Sequence, residues 1–521
     1  MQSPGGVSSS SSEHSASDGS VNCSDDFKDP VKSQSFEKVF DVIKQYGRYQ
    51  FLTFLLVQYI MLNSAGNYLF VSFATLKPEC EIGEVNQIPD VCSRIDQCPL
   101  NRTRSPFYSL YQDNGFVCPH SYLPNHMQTL QAVGSGIGAL LGGHLADSYG
   151  RKWITNSGAF LMTLFGFVGG FSPNAILLFV AMFGMGLAYG ILIDALMTLT
   201  TEQVGPKYRI IQTLAFQWTV SMQVAALIAW LVRDWRKYLL LINGVCSPVL
   251  LLMYLFWVES PRWLIQKRRY SEAAMALNRI AWWNRVNERF DETKLKNMNV
   301  KSEKKEQTYT FADLFAHKHL FSYSIVMILS ALTVELCGGV IIFDIQILAG
   351  DPFLNMVLYG VLRLWTPFFI VFVETHSSSV GRRSLFLYSQ AFSIICYLGV
   401  IVFGLVPNVY SAKIIRTVLA MSGAMVNSSI FFTAYKQYSM ELYPTLMRAI
   451  AVGTFGVVER IGGGLAPQLV SLNSFAWSDA ALCITTVIMA ASWLAGLAVL
   501  PETKNEDIPD VVEDRENGSV M

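Results

Sequence analysis

Glu202-Gln-Val-Gly-Pro-Lys-Tyr-Arg209 and Glu441-Leu-Tyr-Pro-Thr-Leu-Met-Arg448 each follow a long apolar run, and each sets an arginine seven residues beyond an acid with a proline between. Two further marks repeat in the same order. Gly150-Arg151-Lys152 stands upstream of the first copy, and Gly381-Arg382-Arg383 upstream of the second. Glu259-Ser-Pro-Arg262 closes one half; Pro501-Glu502-Thr-Lys504 closes the other. The partners are displaced by 231, 239 and 243 residues. Three marks, in one order and nearly evenly displaced, indicate a duplicated unit of about six hydrophobic segments. Membrane proteins duplicated in this way place their binding site between the halves.

Composition agrees. The chain is 52% hydrophobic and only 15% charged, where soluble domains carry about 25% charge. Runs such as Phe51–Phe70, Ile176–Ala188, Val249–Trp257 and Ile484–Leu500 are almost free of charge, and about 20 such residues cross a bilayer as a helix. The first 36 residues are polar and Ser-rich, so no cleavable signal peptide is visible and the first span is expected to direct insertion. Net charge is zero, and basic interleaved patches and metal-type Cys/His clusters are missing from the sequence. Nucleic acid, a metal and a cofactor are therefore not expected.

The reading is an all-α membrane protein of twelve transmembrane helices in two six-helix bundles. A cytoplasmic tail covers 1–49, and the first bundle 50–258, with an extracellular loop at 74–126. A cytoplasmic inter-bundle loop covers 259–320, the second bundle 321–500, and an acidic tail 501–521. Spans are expected near 50–72, 127–147, 154–172, 175–200, 210–232 and 238–258, then 321–348, 354–374, 385–405, 411–438, 447–471 and 477–500. Orientation follows from loop Lys and Arg. Arg151, Lys152, Lys207, Arg209, Arg382, Arg383, Arg448 and the 262–318 loop fall on one side, which is then cytoplasmic. Arg233, Arg236 and Lys237 go against the pattern but are outnumbered. Cys80, Cys92, Cys98 and Cys118 share the opposite side with the sequon Asn101-Arg-Thr103. Up to two disulfides, in any of three pairings, and a glycan at Asn101 are the expectations. Cys246, Cys337, Cys396 and Cys483 lie in apolar runs and read as small hydrophobes.

Gly142-Gly-His-Leu-Ala-Asp147-Ser-Tyr-Gly150-Arg151-Lys152 resembles the loop signature of the major facilitator superfamily. The resemblance narrows to solute-carrier family 22, the organic cation, carnitine and organic anion carriers. It rests on Gly47-Arg-Tyr-Gln50, Asp234-Trp-Arg236, Glu259-Ser-Pro-Arg-Trp-Leu264, Phe311-Ala-Asp-Leu-Phe315 and Glu441-Leu-Tyr-Pro-Thr445, and it covers about 40–503. It implies a carrier that works by alternating access. Asp147, Arg151, Glu202, Arg209, Glu259, Arg262, Arg382, Glu441 and Arg448 are then gate residues, with Asp147 able to pair with an arginine across the halves. The bland alternative is that Arg151 and Lys152 only fix topology.

A charge at the bilayer centre costs about 2.5–3.5 kcal/mol on insertion scales, so each needs a reason. Arg460 lies mid-span in Glu459-Arg460-Ile-Gly-Gly-Gly-Leu-Ala-Pro467. Cation carriers of the resembled family tend to have an aspartate there and anion carriers an arginine, so Arg460 is a candidate anion contact. The alternative is an ion pair with Glu459 or another helix. Arg363 stands where the cation carriers tend to place a glutamate. Lys436 is either a contact or a side chain snorkelling to the interface. The lysine that anion carriers usually have in the eighth helix is missing; Trp365-Thr-Pro367 occupies the stretch. Asp194, Glu335 and Asp344 are candidates for a cationic group, a coupling proton or the neutralisation of Arg363 and Arg460. Trp218, Phe343, Tyr359, Trp365, Phe432 and Tyr435 are candidate rings for a cationic or flat organic group.

The expected function is transport of a small organic ion, anion or zwitterion rather than simple cation, in a plasma membrane. The alternatives are a cation or carnitine carrier, or a receptor-like protein that has kept the fold and lost transport. Two retained gates argue against the receptor. The residues form no triad or metal cluster, so an enzyme is not expected. A coupling proton or sodium ion stays open.

Overall fold

The structure, a computed structural model, describes residues 39–76, 107–114, 123–205, 208, 218–296, 311–316, 318–343, 348, 350–366, 368–370, 372, 381–405, 410–443, 447–475 and 477–503. The expectations for Cys80, Cys92, Cys98, Cys118, Asn101, Arg209, Asp344 and the distal tails lie outside these residues.

The first bundle contains α1 (Arg48–Ala74), α2 (Leu123–Tyr149), α3 (Arg151–Gly170), α4 (Ala175–Thr201), α5 (Trp218–Val232) and α6, which runs through Trp235–Cys246 and Pro248–Phe256. The second contains α7 (Lys318–Phe343), α8 (Pro352–Leu364), α9 (Arg382–Gly404), α10 (Tyr410–Met425, continued to Glu441), α11 (Arg448–Phe475) and α12 (Ala480–Val499). Eight of the described helices are long and apolar enough to cross a membrane. Among the described residues there is no strand, only a bridge between Tyr108 and Asp234.

Helix starts follow from local chemistry. Asn174, Asp234 and Asp351 cap α4, α6 and α8 by accepting backbone N–H groups of the first turn. The break in α6 falls at Ser247-Pro248, where proline removes a donor. In α10 residues Val426–Phe431 form a π-helical turn, a feature frequent at functional sites.

The less hydropathic helices α2, α3 and α11 are rich in small and polar residues because they pack closely. Gly134 and Gly138 of α2 face Gly186 and Gly190 of α4. A Cβ at Gly186 would lie 1.9 Å from the Gln131 carbonyl oxygen, and one at Gly138 would lie 2.2 Å from that of Leu187. Small residues four apart let two helix backbones approach in lipid.

The inter-bundle segment is more ordered than its polarity suggests. Helices Pro261–Gln266 and Tyr270–Trp283 pack Trp263, Leu264, Ala273, Leu277 and Ile280 against Val39, Phe40 and Ile43 of the short helix Val39–Ile43. Part of the expected tail is thus helical and docks on the loop. Cys246, Cys337, Cys396 and Cys483 are free thiols, the first three buried among apolar side chains.

Candidate functional site

The repeated marks assemble twice, at the helix ends assigned to the cytoplasm. In the first half Glu259 accepts the backbone N–H groups of Arg151 (3.1 Å) and Lys152 (3.0 Å), which open α3. Arg151 pairs with Glu202, and the Ser260 hydroxyl donates to the same Glu202. In the second half Glu502 accepts the N–H groups of Arg382 (2.6 Å) and Arg383 (3.2 Å), which open α9. Arg382 pairs with Glu441 at 3.2 Å, and the Thr503 hydroxyl donates to Glu441 at 2.6 Å. Each capping carboxylate satisfies donors that have no partner within the helix and meets the positive end of its dipole.

Gln203, next to Glu202, was not singled out from the sequence. It is fully buried, takes hydrogen bonds from Tyr49 (3.3 Å) and Trp257 (3.1 Å), and donates to the Val258 carbonyl (2.5 Å). It thereby ties α1 and α6 to the knot. Its counterpart in the second copy is Leu442, so this part of the knot is not duplicated.

Asp147 does not reach an arginine of the other half in this conformation. It lies 3.4 Å from Arg151 of its own half, and its side chain is 73% exposed. Arg448 donates to the Tyr443 carbonyl, and Arg262 makes no ion pair among the described residues. Described hydrogen bonds between the halves lie level with Arg460 or toward the opposite end. Asn125 of α2 donates to Ser471 of α11 at 2.6 Å. Thr129 donates to the Gly464 carbonyl at 2.9 Å, and Gln468 reaches Thr129 at 2.8 Å. Phe73 stacks on Phe353 with centroids 5.5 Å apart. At the knotted end no hydrogen bond or ion pair joins the halves among the described residues.

Between these ends is a polar chamber. Arg460 of α11 donates to the Ser135 hydroxyl of α2 at 3.0 Å, and its guanidinium lies 5.2 Å from the Tyr189 ring centroid. Among the described residues it makes no ion pair. Tyr189 meets Trp218 edge-on at 5.9 Å, and Tyr68 meets Trp218 at 5.1 Å. Phe343 lies 6.4 Å from Tyr68. Along α11, a methyl group at Gly463 would lie 3.9 Å from both the Glu335 carboxylate and the Tyr68 hydroxyl. A guanidinium, a carboxylate and three polar-tipped rings from both halves thus come together. Tyr68 and Tyr189 were not identified from sequence, because α1 and α4 are apolar nearly all round and show no preferred face.

Glu459 takes a different path from its neighbour. It accepts from Lys436 Nζ at 2.5 Å and from the Tyr435 hydroxyl at 2.9 Å. Lys436 is therefore neither snorkelling nor free. Tyr435, a candidate contact from sequence, is 0% exposed, and its hydroxyl is occupied by Glu459. In this structure its hydroxyl supports that carboxylate. Arg363 of α8 donates to the Ser428 carbonyl (3.2 Å) and the Ser429 hydroxyl (3.3 Å) on the π turn, and lies over Tyr359 at 5.5 Å. The π turn frees the Ser428 carbonyl to accept it. Trp365 packs on Phe369 on the exposed face of α8, away from Arg363.

Residues 86–514 match the family model described as sugar (and other) transporter. Human solute carrier family 22 member 13 is 29% identical over 79% of this chain and 72% of its own length. The organic cation transporter protein of Drosophila melanogaster is 26% identical over 77% of this chain and 73% of its own length. Among solved structures, the inward open conformation of the xylose transporter XylE from E. coli aligns with a TM-score of 0.62 at 14% identity. That alignment covers 88% of this chain and 98% of XylE. The likeness is one of fold.

Proposed function

The chain belongs to the sugar (and other) transporter family, and from that premise we propose that it carries a small organic anion or zwitterion through a site centred on Arg460. Transport itself goes with the family: a multi-pass membrane protein whose two halves rock about a central site, with no catalytic chemistry. The observation behind the choice of charge is that Arg460, among the described residues, has no ion-pair partner in contact and is met by a serine hydroxyl and a tyrosine face. A second cation, Arg363, is held by a carbonyl, a hydroxyl and a ring, none of them charged. A buried guanidinium in direct contact with no carboxylate among the described residues favours an anionic partner, although Asp194 and Glu335 act on it from a distance. Glu335, close to Gly463, is placed to receive a cationic group of a zwitterion.

The knotted end carries the three repeated marks, and we assign it to the cytoplasm by the excess of Lys and Arg there. The knots then act as matching inner gates. Asp147 is free to engage the other half when that end closes. The organic cation names among the relatives support the cation reading, for which Glu335 and Asp194 are the available acids. Uptake of labelled organic anions, zwitterions and cations into cells with the chain at their surface separates the readings. Uptake of none of them would contradict transport of organic ions; uptake of cations alone would contradict the assignment of Arg460.

A further inference from the structure

A cleft open on one side lies at the foot of α1, away from Arg460, with a volume of about 440 Å³. Its wall includes Lys44, Arg48 and Arg285, with Tyr46, Phe51 and Asn284. A volume in the range of about 300–1,000 Å³ holds a small-molecule-sized group. The three cations are exposed and have no acid or hydrogen-bond partner for their side chains among the described residues. Their placement is built. Lys44 (φ 72°) and Arg285 (φ 54°) both adopt left-handed backbone conformations, which glycine usually fills at helix ends. The buried Asn284 clamps the site. It donates to the Ile43 carbonyl at 2.8 Å and to Gln50 at 3.1 Å, and accepts from the Tyr49 N–H at 3.0 Å.

The surroundings identify the kind of ligand. Phe51, in the wall, is 54% exposed on the first turn of α1, and Leu55 beyond it is also exposed. Trp282, at the end of the neighbouring helix, is 71% exposed. Exposed aromatic rings at the end of a span mark the headgroup level of a bilayer. A cationic pocket at that level, on the side with the more anionic leaflet, suits a phosphorylated headgroup. We propose that this pocket binds the headgroup of an anionic phospholipid of the inner leaflet, separately from the transported ion. The leaflet named rests on the cytoplasmic assignment above; the binding itself does not.

The test uses the full chain in nanodiscs of phosphatidylcholine with a few per cent phosphatidylinositol bisphosphate, which is offered on both faces. Retained lipid is counted by native mass spectrometry, and uptake is measured separately, so loss of one reading is distinct from loss of the other. Each basic residue near an anionic surface is worth about a fivefold gain in binding. The Lys44→Gln/Arg48→Gln/Arg285→Gln variant should therefore bind about a hundredfold more weakly. The charge-conserving Lys44→Arg/Arg48→Lys/Arg285→Lys variant should retain the lipid. Lys294→Gln, an exposed cation outside the pocket, should also retain it. Equal retention by the triple Gln variant would overturn the site. Equal loss in the charge-conserving variant would overturn charge as its basis, and equal loss in Lys294→Gln would reduce it to general surface attraction. Displacement by soluble inositol trisphosphate at the same concentration as the lipid would overturn the membrane source.

Discussion

Replacing Lys436 by Met isolates Glu459 inside the second bundle, with only the Tyr435 hydroxyl left to it. Lys436 Nζ lies 2.5 Å from Glu459, and the two side chains are 28% and 13% exposed. Removing one partner of a fully buried pair costs about 3–5 kcal/mol. Partial exposure lowers that here to about 1–3 kcal/mol. For a half of this size the midpoint of thermal unfolding moves by about 2–4 °C per kcal/mol. Lys436→Met and Glu459→Gln should each lower the midpoint in detergent, and the neutral double variant should recover most of the loss. The coupling from that cycle is expected at about 1–3 kcal/mol. Uptake per surface molecule should stay within about threefold of the parent in the double variant, because the pair positions helices rather than holding cargo. A double variant with recovered stability but no uptake would refute that reasoning and make Lys436 a contact for the transported ion.

Three further outcomes follow from the same geometry. Glu259→Ala and Glu502→Ala remove equivalent acceptors from the first turns of α3 and α9, so each should lower thermal stability by about 1–2 kcal/mol; strongly unequal losses would show that the two knots are not mechanically alike. Gly186→Val drives a side chain into the Gln131 carbonyl and should cost about 3 kcal/mol and most surface expression; normal expression would mean that α2 and α4 do not pack this closely. Asn125→Cys with Ser471→Cys should form a disulfide that holds the outer end closed and stops uptake until it is reduced; oxidised protein that still transports would contradict the assignment of these residues to a gate.

The duplicated architecture was legible because its marks are short, charged and ordered along the chain. The knots were legible in part: the repeated acids and arginines were named, but the capping by Glu259 and Glu502 and the place of Gln203 came from the structure. The chamber was only partly legible. Glu459 and Arg460 are adjacent, and their different fates depend on Lys436 and Ser135, which are remote in sequence. Trp218 could be named as a candidate ring, whereas Tyr68 and Tyr189 lie in helices too uniformly apolar to show a face. The helices at 261–283 were missed although their Ala, Leu and Ile spacing was present, because the lysines and arginines between dominated the reading. The π turn at Val426–Phe431 has no evident sequence signal, and it is what presents the Ser428 carbonyl to Arg363.

The charge preference of the chamber is the central claim, and Arg460→Asp tests it most directly. Surface-expressed parent and variant are compared for uptake of one labelled organic anion and one labelled organic cation. The variant should lose anion uptake by at least about a hundredfold, the effect of losing a buried charge-assisted contact and adding a like charge, while cation uptake holds or rises. An unchanged anion rate in the variant would contradict the account.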